Sequence, residues 1–295
     1  IITYKDHLLL IYLMNYTLYP WLENFKNPSN IQFLQHAKEE LYDKGVTTIP
    51  NFVTKEALEN MRKESVKKGK VAYETNDLHN VYLLSPDMDL NDYPDKNHLR
   101  NRLYKTHVAS IAYDELNPEN TLAKLYNSET LLKLVAFVTG QKKCYHSIDP
   151  LGRCSVNVFK NTWQHAWHFD ESEYSTTLMI QKPKDGGIFQ YSEKIRDNSD
   201  ELVVDLVENI MDDHLQPEER LVQRHDLTFE EGTLSIFSGR RSLHRVTDCY
   251  GDLDRLVAVF TFSQEKNYKN SIEVRKLFWG RSGEEDVSSS VSSKL

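Results

Sequence analysis

The chain has 295 residues, 39% hydrophobic and 27% charged, with a mean hydropathy of −0.59; this excludes a disordered or membrane-embedded polypeptide and supplies a sizeable core. A formal net charge of −8 and a pI near 5.8 argue against a general nucleic-acid binder, because a phosphate backbone calls for a basic surface. Cys144, Cys154 and Cys249 are odd in number and lack C-x-x-C spacing, which excludes a disulfide framework or a structural zinc site and points to a reducing, intracellular compartment.

In chain order, Leu8 to Met14 forms the longest N-terminal apolar run, too short to span a bilayer and too close to polar residues for a signal peptide. The first residue is Ile1 and not Met, so an upstream transit peptide is compatible with the sequence, and the expected location is cytoplasmic or organellar after its removal. Ser29 or Asn30 starts a helix that Gly45 closes, and Val46 to Val53 is a short strand interrupted by Pro50. Thr54 caps a helix that carries Ala57, Leu58 and Met61 on one side. Val108, Ile111, Ala112 and Leu116 read as a further helical stripe ended by Asn117-Pro118, and Ser128 to Gly140 as a capped helix.

Beyond Gly140 the texture becomes short β-like runs: Lys143 to Ser147, Arg153 to Lys160, Tyr174 to Gln181, Ile188 to Ser192, Thr233 to Phe237 and Leu256 to Phe262. Lys184-Asp185-Gly186-Gly187 reads as a hairpin turn between two of them, and an amphipathic helix covers about Ser199 to His214. This rhythm predicts an α+β, mainly β fold: a jelly-roll core over 141–265 under a mainly helical layer over 1–140. A closing segment over 266–282 completes a single domain of 1–282, and 283–295 is a Ser- and Glu-rich flexible tail.

Within the β region stand His168 and Asp170, in Trp167-His168-Phe169-Asp170, and later His244. Two residues apart on a strand, His168 and Asp170 face the same way. His244 follows a strand and the turn Ser238-Gly239-Arg240, which can return it over the sheet. Two imidazoles and one carboxylate give a divalent metal three ligands on one face and leave the other open, the facial arrangement of non-haem Fe(II) oxygenases. Arg255 comes eleven positions after His244, and Arg255, Val257, Val259 and Thr261 share one strand face. A buried guanidinium there would grip the far carboxylate of a bidentate 2-oxo acid, with Thr261 as a weaker helper. Zinc is the competing metal, but no fourth ligand has suitable spacing. His165 lies at an odd offset from His168 and should face away, unless a bulge intervenes. It is therefore expected at the rim, bonding substrate.

The pattern H-x-D, a long gap, then H and R resembles the Fe(II)/2-oxoglutarate-dependent dioxygenase superfamily. The stretches Trp167 to Tyr174, Thr177 to Gln181, Gly186 to Tyr191, Phe237 to Gly239 and His244 to Thr247 resemble its branch acting on free amino acids, which contains hydroxylases and radical halogenases. The resemblance covers about 150–265 and implies a double-stranded β-helix, with Fe(II), 2-oxoglutarate and O2 as cofactor and cosubstrates. It implies His168, Asp170 and His244 as metal ligands and Arg255 as the 2-oxoglutarate anchor. It further implies His165, Glu171 and Thr261 near the substrate, with Trp279 closing the pocket from the C-terminal segment. Halogenases of this branch carry Gly where this chain has Asp170, so halogenation is not expected. Kainoid synthases also sit in this branch, closing a pyrrolidine ring on an N-prenylated glutamate. That reaction would suit an anionic substrate held by Arg240, Arg241, Arg245, Arg153 or Lys160. The expected partner is a small amino-acid-like molecule, with neither nucleic acid nor membrane. The alternatives are hydroxylation of a free amino acid, a protein-modifying dioxygenase with an open groove, and a cupin-like binding protein without catalysis.

Overall fold

A computed structural model describes residues 4–25, 27–84, 98–196 and 204–283. Its main sheet has seven antiparallel strands in the order Val46–Ile49, Leu234–Phe237, Ser175–Gln181, Arg255–Phe260, Cys154–Phe159, Tyr104–Ile111 and Tyr73–His79. A four-stranded sheet, ordered Arg224–Leu227, Phe189–Lys194, Ser242–Val246 and His165–His168, lies over one face of it. Two sheets facing each other make the jelly roll that the strand rhythm predicts.

Period-two alternation sorts the side chains of the main sheet. Val156, Val158, Leu178, Ile180, Leu234, Ile236, Leu256, Ala258 and Phe260 enter one apolar cluster with Met61, Leu131, Leu134 and Val138 from the helices. Their neighbours Ser155, Asn157, Phe159, Thr177, Ser235, Phe237, Arg255, Val257 and Val259 turn the other way and line a cavity between the sheets. One face of the sheet is core and the other is site.

The covering helices begin and end where their caps require. Thr54 accepts a hydrogen bond from the Ala57 amide at 3.1 Å and starts the helix Lys55–Gly69, while Ser128 does the same for Leu131 at 3.2 Å in Glu129–Thr139. Such a cap contributes about 1 kcal/mol. Gly140 ends the second helix in the left-handed conformation, φ 69°.

Three expectations change. Val108 and Ile111 lie not in a helix but in the strand Tyr104–Ile111, which pairs with both Tyr73–His79 and Cys154–Phe159. The first 140 residues thus give three strands to the main sheet. The spacing misleads because Val108, Ala109, Ser110 and Ile111 are all buried, so the strand shows no clean alternation. Gly186 and Gly187 do not close a hairpin, since Ser175–Gln181 and Phe189–Lys194 belong to different sheets. Asp185–Gly186 instead pairs with Cys249–Tyr250, and the chain crosses between the sheets there. The helix read over about Ser199 to His214 runs Val204–Met211; its first residues, to 203, lie outside the described residues, as does the tail from 284. No helix among the described residues is long and apolar enough to cross a membrane.

The fully buried Met61 fastens the helical layer to the sheet. Met61→Ala should lower the unfolding free energy in urea by roughly 2–5 kcal/mol, while Lys63→Ala on the exposed side should change it by less than about 0.5 kcal/mol.

Candidate active site

His168 ends an edge strand of the smaller sheet, and His244 lies directly opposite it on the neighbouring strand. Asp170 follows two residues after His168. Its Oδ1 stands 3.5 Å from His168 Nε2 and 3.4 Å from His244 Nε2, so three potential ligand atoms converge within 4.8 Å. Both imidazoles are held for this by their other nitrogen. His168 Nδ1–H donates to Ala166 O at 2.7 Å and His244 Nδ1–H to Ser242 O at 3.0 Å. A carbonyl can only accept, so the proton stays on Nδ1 and a metal would meet the Nε2 lone pair of each ring, on the side of Asp170. Burial would raise the Asp170 carboxyl, yet His244 and His168 hold it well below its ordinary range. Burial first, then His244, depresses His168. Two imidazole nitrogens and a carboxylate oxygen turned toward one point form the donor set that a divalent metal takes.

Across the cavity, Arg255 opens the strand Arg255–Phe260 at 2% exposure. Its Nε and Nη1 have no hydrogen-bond partner, and its guanidinium stands 5.2 Å over the Phe159 ring. Burial pushes its pKa down to about 10, so it remains charged at neutral pH. An unpaired buried cation of this kind fits a carboxylate supplied from outside the chain. Gly187, at φ 61°, lets the crossing chain pass over it, since a Cβ there would meet Arg255 Cδ and Cys249 Sγ at 3.0 Å. What reads in the sequence as a hairpin turn is a close approach to the arginine.

The remaining candidates divide. His165, Glu171, Thr261 and Trp279 line the same cavity as the triad and Arg255. His165 faces inward because the pairing of Ser242–Val246 with His165–His168 slips between His244 and Val246. The bulge cancels the odd offset and stacks His165 on His168, with ring centroids 3.8 Å apart. Its Nε2 is buried without a partner. Glu171 Oε2 accepts from the Ser271 amide at 2.9 Å, which docks the start of the helix Ile272–Trp279 over the site. Thr261 donates its hydroxyl to Gly152 O at 3.0 Å. Trp279 reaches the cavity beside Gly152, where a Cβ would come within 2.8 Å of the indole.

The arginines considered for an anionic substrate lie elsewhere. Arg240 donates to Glu171 O at 2.9 Å and lines a second cavity that shares Glu171 and Ser172 with the first. Arg241 pairs with Glu173 at 2.6 Å, and Arg245 with Asp213 at 2.9 Å. Arg153 donates to Asp149 O at 2.7 Å, and Lys160 sits 4.7 Å over Trp163. Among the described residues lining the main cavity, Arg255 is the one Lys or Arg.

Sequence reasoning missed Ser175, whose hydroxyl donates to Asp170 Oδ2, and Leu83, which enters the cavity at φ 63°. It also missed His79. Its Nδ1–H donates to Asn80 O at 2.7 Å, and its Nε2 accepts from Thr106, whose Oγ1 in turn accepts the Ala166 amide at 3.1 Å. That chain anchors the strand of His165 and His168 to the main sheet. No local pattern marks these residues, since their partners are distant in sequence. Burial lowers the His79 pKa from 6.5 to about 4, so the unfolded chain takes up this proton first as pH falls. The stabilisation is complete above pH 6.5 and is lost on the way down to about 4, roughly 3 kcal/mol in all. His165 and His168 act in the same direction. Denaturant unfolding of metal-free protein at about pH 7 and about pH 5 should show a shallower pH dependence for His79→Gln than for wild type. Equal slopes would contradict this role.

The family model described as Halogenase D matches residues 96–279. No curated protein matches the chain. Among solved structures, the chain is similar to the non-haem α-ketoglutarate-dependent epimerase SnoN from nogalamycin biosynthesis, with TM-score 0.54 and 11% identity, covering 79% of this chain and 84% of that one. It is also similar to the carbocyclase SnoK from the same biosynthesis, with TM-score 0.53 and 12% identity over 82% and 85% of the two chains. HygX from Streptomyces hygroscopicus, with nickel, 2-oxoglutarate and hygromycin B bound, gives TM-score 0.51 and 13% identity over 78% and 86%. The match spans the strand of His168, the carboxylate, His244, Arg255 and the closing helix: the chain belongs to the Halogenase D family, on the jelly-roll fold of the 2-oxoglutarate–Fe(II) oxygenases.

Proposed function

We propose that this protein is an Fe(II)- and 2-oxoglutarate-dependent oxygenase that oxidises a C–H bond of a small, amino-acid-like molecule without halogenating it. The observation that carries this reading is the unpartnered, buried Arg255 guanidinium facing a His168–Asp170–His244 cluster across one cavity. His168 Nε2, His244 Nε2 and Asp170 would hold the metal, and Arg255 the distal carboxylate of 2-oxoglutarate. When bound, Fe(II) with 2-oxoglutarate and O2 supplies an oxidant able to remove a hydrogen atom from carbon, 2-oxoglutarate leaving as succinate and CO2. The chain's own part is to position and to exclude water. Phe159 stands beside Arg255, Phe189 and Phe237 stand against His244, and Phe229, Val274, Phe278 and Trp279 complete the apolar wall.

Retention of Asp170 speaks against halogenation, despite the family's name. The carboxylate fills the place a halide would take, and Ser175 holds it there. For the substrate, we favour oxidative ring closure of an N-prenylated glutamate. The apolar wall of Leu83, Val274, Phe278 and Trp279 suits a prenyl chain, and Arg240 in the adjoining cavity suits a carboxylate. Hydroxylation of a free amino acid is the second reading, supported by the scarcity of cations in the main cavity, where one anionic ligand already claims Arg255.

Incubation of the protein with Fe(II), 2-oxoglutarate, ascorbate and chloride, over free amino acids and N-prenylated glutamate, separates these by product mass. Loss of two hydrogens indicates ring closure or desaturation, and gain of one oxygen indicates hydroxylation. A chlorinated product would overturn the reading of Asp170. Succinate formation should vanish in Asp170→Ala and His244→Ala, whose folds persist because both side chains line the cavity and lie outside the apolar core. Wild type that releases no succinate with any candidate would instead support a binding protein.

A further inference from the structure

The two oxygens of Asp170 have different surroundings. Oδ1 faces both imidazoles, at 3.5 Å from His168 Nε2 and 3.4 Å from His244 Nε2. Oδ2 points away from them and accepts the Ser175 hydroxyl. Ser175 is the first residue of the strand Ser175–Gln181, so its position is fixed by the main sheet. On its other side Oδ2 lies against Gly239. A methyl group on Gly239 would come within 2.7 Å of Asp170 Cγ, and closer still to Oδ2.

Gly239 is not among the glycines with positive φ, so its backbone is open to any residue. What excludes a side chain there is the carboxylate. The same glycine accepts the Asp170 amide on its carbonyl at 3.1 Å. The turn that leads into the strand of His244 therefore holds both the backbone and the side chain of the third ligand.

We propose that Ser175 is a positioning residue, and Gly239 its steric counterpart, which together hold Asp170 as a one-oxygen metal ligand. This inference rests on the metal-site reading above. The terminal torsion of an aspartate is broad and its two oxygens are equivalent, so nothing intrinsic to Asp170 decides the angle at which one oxygen faces the imidazoles and the other turns away. Hydrogen bonding of Oδ2 and its contact with Gly239 decide it. A carboxylate free to turn could offer both oxygens and occupy a further coordination position, one that the cosubstrate needs.

The test is equilibrium binding of Mn(II) to metal-free wild type, Ser175→Ala, Ser175→Thr and Gly239→Ala, read from the signal of free Mn(II). Visible absorption of the Co(II) forms and thermal midpoints of the metal-free proteins accompany it. Ser175→Ala should bind Mn(II) about tenfold more weakly, with an altered Co(II) spectrum. Ser175→Thr keeps the hydroxyl and should recover affinity to within about twofold. Gly239→Ala should lose about 100-fold. Thermal midpoints of the Ser175 variants should match wild type. Wild-type affinity and an unchanged Co(II) spectrum in Ser175→Ala would overturn the positioning role and leave the metal site standing. Failure of wild type itself to bind Mn(II) would overturn the metal-site reading, and this inference with it. Should Gly239→Ala not fold, the Ser175 pair still decides.

Discussion

A positive charge buried without a counter-ion governs this structure. Arg255 keeps two donor nitrogens unpaired at 2% exposure, with the Phe159 ring beside it. An isolated ion in such surroundings costs several kcal/mol unless a partner arrives. Burial moves its pKa only to about 10, so it cannot escape by losing the proton at neutral pH. A carboxylate entering the cavity would remove that penalty, which gives the ligand a share of its affinity before any other contact forms. Where the chain crosses between the sheets, Gly187 lets it pass close over this side chain.

The rest of the site follows from how two sheets can face each other. Alternation along Arg255–Phe260 sends Leu256, Ala258 and Phe260 to the helices and Arg255, Val257 and Val259 to the cavity. The metal-ligating candidates come from the opposite sheet, so the anchor for an anion and the cluster for a cation are carried by different layers. Each layer is braced separately. The helices bury the back of the main sheet, and the His79–Thr106–Ala166 chain ties the strand of His168 to it. Glu171 then links the cavity wall to the closing helix through the Ser271 amide. Substitutions in one brace should therefore disturb one element of the site more than another.

Legibility in the sequence tracked how local the determining contact was. His168, Asp170, His244 and Arg255 could be read because their residue types stand at a recognisable spacing, although Asp170 lies just past the end of the strand His165–His168. The helix caps at Thr54 and Ser128 were equally readable, since a cap and its amide are three residues apart. His165 resisted because its direction depends on a register slip against a strand about 80 residues later. Tyr104–Ile111 resisted because its second half, from Val108, is buried on both faces and the alternation there is erased. Ser175, Gly239, His79 and Leu83 could not be found this way at all. Each matters through a contact whose partner only the folded chain supplies.

The central claim is that one cavity binds a metal and a 2-oxo dicarboxylate together, the second through Arg255. Calorimetric titration of 2-oxoglutarate into protein loaded with Mn(II), without O2, tests it most directly. One equivalent should bind, more weakly when Mn(II) is left out, and at least about tenfold more weakly in Arg255→Lys, where a two-point grip becomes a single point charge. Binding that is indifferent to both the metal and Arg255→Lys would contradict the account.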